Sequence, residues 1–112
     1  MNIIKTSREM DRKDIYKMTK GAGVRKLKEL KGATVCVNDW ILFTDQNNNG
    51  EEVKLLSIKT DEGIYATNSK PFIEEFLKLA EVLDYDMHDV AINILTRTSK
   101  AGREFMTLAL TD

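Results

Sequence analysis

Three cations and an aromatic ring crowd together late in this sequence. Arg97, Lys100, Arg103 and Phe105 all lie within "NILTRTSKAGREFMTLAL", residues 93–110. A cation set against a phosphate releases condensed counterions. An exposed ring stacks on an unpaired base for about 1–3 kcal/mol. Rings alternating with cations therefore suit single-stranded nucleic acid, whose bases offer flat apolar faces that a duplex hides. Tyr65, Trp40, Phe43 and Lys54 are the further candidates for such a surface.

Other chemistries fit the residues less well. "DQNNNG" imitates the start of a calcium loop through Asp45, Asn47, Asn49 and Gly50, but the twelfth position is Leu56 where a bidentate Glu is required. His88 lies between Asp86 and Asp89 in what reads as a solvated turn. "GAG" at 21–23 has no GK[ST] after it and no strand before it, so it is no phosphate cradle. Cys36 sits in an apolar run and reads as buried and inert. Glu74 and Glu75 point different ways on a helix, and no nucleophile–base–orienter set emerges. The chain reads as a non-enzyme, with no metal and no cofactor.

Positioning these side chains requires strands. "ATVCVNDWILFT" (33–44) is rich in β-branched and aromatic residues and predicts a strand bent at Asn38-Asp39. "EEVKLLSIKT" (51–60) and "IYAT" (64–67) predict two more, joined by the tight-turn signal "DEG". In "NSKPFIEEFLKLAEVLDYD" a helix is expected, capped by Asn68 or Ser69, with Pro71 in its first turn and Phe72 or Ile73, Phe76, Leu79, Ala80 and Leu83 along one stripe. "VAINILTRT" (90–98) and "EFMTLALT" (104–111) predict a closing hairpin. Residues 1–31 read as a flexible start followed by helix, interrupted at "GAG" and resumed through "VRKLKELKG".

Alternation along a strand assigns faces. Met106, Leu108 and Leu110 share one side with Ile92 and Ile94, the expected core. Phe105, Thr107, Ala109, Leu95 and Arg97 then take the other side. Tyr65 is out of phase with Ile64 and Ala66 and is expected outside. The run containing Trp40 and Phe43 is apolar on both sides, so parity leaves their direction open. Lys54 and Lys59 fall on opposite parities.

Composition and charge set the frame. At 42% hydrophobic and 31% charged, the sequence suits one globular domain with its own core. No apolar run approaches the roughly 18–20 residues of a membrane span. No secretory signal is apparent, and a lone cysteine suits a reducing cytoplasm. Residues 1–31 hold ten Lys/Arg against four Asp/Glu, whereas residues 32–112 hold seven against fourteen. The asymmetry places a basic helical extension (1–31) ahead of an acidic body (32–112), and a basic segment of this kind suits an anionic partner.

Three strands, a helix and a hairpin is the order of a five-stranded OB barrel. The segments "VKLLSIKTDEGIYATNSKPFIEEFLKLAEVL" and "INILTRTSKAGREFMTLAL" resemble the small single-stranded DNA-binding proteins of phages and mobile elements. The likeness covers roughly residues 33–112, and "SKAGREF" carries it most strongly. It implies an OB fold that coats and protects single-stranded DNA in replication and recombination. By position, it implies Phe105, Arg103, Lys100, Arg97 and Tyr65 as contacts. Cellular relatives of that family add an acidic tail that recruits replication proteins; here "LALTD" follows the last expected strand directly, so recruitment by such a tail is not expected. The alternatives are a protein–protein adaptor of the same fold, whose outer apolar face would form a homodimer or higher homo-oligomer, and an RNA-binding regulator.

Overall fold

One long strand organises the molecule. In a computed structural model that describes residues 1–111, β3 (Thr34–Gln46) pairs on one side with β4 (Glu52–Thr60) along most of its length. Its other side is shared. The first part of β3 pairs with β6 (Val90–Thr98), and the later part pairs with β1 (Asn2–Thr6). β4 continues to β5 (Gly63–Thr67), and β6 to β7 (Glu104–Leu110). A short strand, β2 (Val24–Lys26), runs parallel to β5 on its far edge. The result is a mainly β protein with two helices and one seven-stranded sheet, strongly curled into a half-barrel.

The elements from Thr34 onward follow the sequence pattern. β3 is bulged between Val37 and Asp39, where the bend is expected. The β3–β4 turn is closed by Asn47, whose Oδ1 accepts the amides of Asn49 and Glu51 at 2.9 and 3.0 Å. In α2 (Lys70–Val82), Ser69 Oγ accepts the Phe72 amide, and Pro71 occupies the first turn. Phe72, Ile73, Phe76 and Ala80 form its buried stripe. Phe76 meets Trp40 edge-on, with ring centroids 5.6 Å apart, so α2 fills the hollow of the curled sheet. Leu42, Leu56, Ile58, Tyr65, Ile92, Ile94 and Leu108 complete that core.

The N-terminal part differs from expectation. Only α1 (Arg12–Thr19) is α-helical there. Asp11 caps it by accepting the Asp14 amide, and Gly21 ends it where any Cβ would lie 2.8 Å from the Lys17 carbonyl oxygen. "VRKLKELKG", expected as helix, instead forms β2 and a 3-10 turn, η1 (Leu27–Leu30). The open edge of β5 supplies backbone partners for Val24–Lys26, and Leu27 and Leu30 enter the main core. Tertiary pairing overrides a helix-forming sequence. Residues 1–31 thus share the sheet and the core of residues 32–112.

α1 lies on the opposite face of the sheet from α2. Met18, with Ile15, covers Ile41, Phe43, Leu55 and Ile64. Strands β3 to β5 are therefore covered on both sides, which explains why the β3 sequence is apolar on both parities.

Candidate nucleic-acid interface

The β6–β7 hairpin brings the opening residues together. Ser99 donates its amide to the Arg103 carbonyl at 2.8 Å, and Gly102 donates to the Ser99 carbonyl at 2.9 Å. Gly102 has φ +81°, a left-handed turn position that glycine takes without steric cost. This turn places Arg97 directly across from Phe105, so guanidinium and ring share one face. Lys100 and Arg103 are exposed at the tip. None of the three cations is in an ion pair among the described residues.

Phe105 is half-buried. It edges a recess of about 340 Å³ that Arg97 shares with Pro71, Glu74, Glu75 and Thr107. The two carboxylates stand on the α2 side, so a phosphate would meet Arg97 from the side away from α2. Lys54 is exposed on the far flank of α2, beside Lys70 and Glu74 in a separate recess of about 380 Å³. The structure does not bring Lys54 to the hairpin recess.

Three expected contact rings are elsewhere. Trp40 is 0% exposed and Tyr65 4%, both in the main core. Phe43 is 2% exposed, sealed beneath α1 on the opposite face. The outward placement of Tyr65 is corrected by its register: it pairs with Ile58, a core residue, while Ile64 and Ala66 take the face toward α1. In this conformation no base can reach these rings. Met106 and Leu108 pack inward as expected, but Leu110 is 50% exposed and Thr107 is buried.

A second basic array emerges only in three dimensions. A groove of about 510 Å³ runs between β2–η1 and β7. Arg25, Lys26 and Lys28 line one side, Met106 the other, with Leu55 and Ala66 between. Among the described residues, no carboxylate lines it. Glu29, the nearest acid in sequence, accepts the Lys26 amide at 3.2 Å. Lys31 bridges from the end of η1 to Glu104 at 2.6 Å, which ties this array to the tip end of the hairpin, beside its turn. The excess of cations in residues 1–31 signals such a surface; its location depends on the β2–β5 pairing, which no local pattern announces.

Elsewhere, polar groups fasten α1. Arg8 bonds Asp39 and Asp14, each at 3.2 Å, and Lys20 pairs with Asp45. The Arg8 bond holds the Asp14 carboxyl below its ordinary range, and the Lys20 bond does the same for Asp45. Asp39 in turn raises Arg8. Among the described residues, no cluster of three or more His, Cys, Asp or Glu is placed to hold a metal ion. No helix of the described residues is long and apolar enough to cross a membrane. Neither protein-family models nor curated proteins nor solved structures show a match to this chain.

Proposed function

We propose that this protein binds single-stranded DNA as a cytoplasmic coating protein of phage or mobile-element replication and recombination. The reading takes β3, β4, β5, α2, β6 and β7 as a five-stranded OB barrel, with β1 and β2 as additions. Supporting it, β3 pairs with both β4 and β6, and α2 fills the core between the two halves. The observation that carries the binding reading is the groove lined by Arg25, Lys26 and Lys28, with no carboxylate among its described lining residues, tied through Lys31 and Glu104 to a hairpin bearing Lys100, Arg103, Arg97 and Phe105.

Phosphate contacts dominate in this reading, because of the four expected rings only Phe105 is left accessible. Arg25, Lys26 and Lys28 on one wall of the groove and Lys100 and Arg103 at the hairpin tip would offer phosphate contacts to a strand passing from groove to hairpin. A duplex hides the base faces on which Phe105 would stack.

Fluorescence anisotropy of a labelled oligo-dT tests this. Arg25→Glu with Lys28→Glu is expected to weaken binding at least tenfold, and Arg103→Glu severalfold. Phe105→Ala is expected to cost about 1–3 kcal/mol of affinity. The wild-type affinity falls steeply with salt. Unchanged affinity in all these variants, or a flat salt response, would overturn the reading. An equal-length RNA competitor that displaces the DNA at lower concentration would favour an RNA regulator instead.

A further inference from the structure

The outward side of α1 is basic and carries one exposed ring. Ile15 and Met18 turn this helix toward the sheet. Arg12, Lys13, Tyr16 and Lys17 are left facing away, and all four are exposed. Lys20, the C-cap, continues the row one turn beyond Tyr16. Tyr16 is 61% exposed, although tyrosine is more often partly covered.

The charges on this side do not cancel. Lys20 pairs with Asp45, but Arg12, Lys13 and Lys17 are in no ion pair among the described residues. Asp14, the one acid within α1, is bonded by Arg8. Asp11 is turned back onto the Asp14 amide as the cap, and Glu9 lies before the helix. A helix face that is merely solvated usually sets acids three or four residues from bases. On the exposed side, the neighbours of Tyr16 at those spacings are Arg12, Lys13 and Lys20, all cations. A helix that lies on a bilayer turns its apolar stripe outward. The apolar residues of α1 face the sheet instead.

The helix also adjoins the basic groove. Gly21 donates its amide to the Tyr16 carbonyl at 2.8 Å, and Val24 donates to the Gly21 carbonyl at 3.2 Å, so the chain turns directly from α1 into β2. Lys26 is in register with Ala66 and takes the α1 side of the sheet. Leu55 packs in the cluster beneath α1 and also lines the groove. We propose that the outward side of α1 is a second contact for the same single strand. Tyr16 stacks on a base, while Arg12, Lys13 and Lys17 meet the neighbouring phosphates. The proposal rests on the single-strand reading above and extends the track from the hairpin and groove onto the helix.

Anisotropy with an oligo-dT of about 16 nucleotides, the upper range for one OB fold, tests it. Tyr16→Ala is expected to weaken binding at least fivefold, and Tyr16→Phe, which keeps the ring, to leave it close to wild type. Lys13→Gln with Lys17→Gln should reduce the slope of log affinity against log salt by about 1.4, the value for two phosphates of a single strand. These positions are exposed, so thermal melting of the variants should match the wild type. An oligo-dT carrying 5-iododeoxyuridine is expected to crosslink to Tyr16 on irradiation. If Arg25→Glu with Lys28→Glu weakens binding but the α1 variants change neither affinity nor slope, the α1 contact is overturned and the groove reading stands. Equal losses in Tyr16→Phe and Tyr16→Ala would overturn stacking. A wild-type chain that binds no oligo-dT overturns both readings.

Discussion

Trp40 shows how one residue changes meaning between sequence and structure. A lone tryptophan in a strand can be a base platform or a core anchor, and its neighbours in "DWILF" are apolar either way. Contact with Phe76 and complete burial make it an anchor. Trp40→Ala is therefore expected to cost about 3–5 kcal/mol, a large part of a typical domain's stability of about 5–15 kcal/mol. A urea titration checks this through a lowered midpoint. Since Trp40 is the only tryptophan, intrinsic fluorescence reports folding alone. Adding oligo-dT to the wild type should leave that signal unquenched, whereas quenching would place the ring in contact with DNA. Phe105 remains a candidate contact, because its partner across the hairpin is Arg97 and its recess opens to solvent.

At the scale of elements, α1 is a strap held at both ends. Asp39, Ile41, Phe43 and Asp45 alternate along β3, so two acids bracket two apolar side chains on one face. Arg8 takes the first acid, Lys20 the second, and Met18 covers the middle. Asp14 and Asp45 titrate below their ordinary 3.8 in the folded protein. A carboxylate lowered on folding stabilises above its unfolded pKa, and that contribution is lost as pH falls through the folded value. The strap is therefore expected to tighten the fold at neutral pH and to loosen below about pH 3.8. Asp45→Asn should lower the melting temperature at pH 6, and the gap to wild type should close as both are acidified; a gap that widens in acid would contradict this. Both ion pairs lie at the surface, with Arg8 and Lys20 about half exposed, so the effect is small.

The whole molecule is one sheet with contributions from both ends of the chain. β1 and β2 pair with β3 and β5, and Leu27 and Leu30 pack in the same core as Trp40. Deleting residues 1–31 should therefore abolish cooperative thermal unfolding rather than release a stable body. A sharp melt in the truncated chain, followed by circular dichroism, would show that residues 32–112 fold alone. The strands from Thr34 to Leu110 and the Ser69 cap of α2 were legible in the residue pattern, because alternation, turn residues and caps are local. β1 and β2 were not, since a five-residue and a three-residue strand are specified by the edges they find on distant partners. The basic groove was hidden for the same reason: its cations come from β2–η1, and the rest of its lining from β4, β5, the start of α2 and Met106 of β7.

By itself, the amino-acid order determined roughly where the later strands begin and end, where β3 bends and which hairpin carries the cations, and it narrowed the α2 cap to Asn68 or Ser69. The tertiary structure alone decided which strand faces are covered. Alternation divides side chains into two sets, but when both sets are apolar only the packing of α1 and α2 says which helix covers each. That choice buried Trp40, Phe43 and Tyr65 and left Phe105 at the surface, while the β2–β5 pairing placed Arg25 and Lys26 in the groove that Met106 of β7 borders.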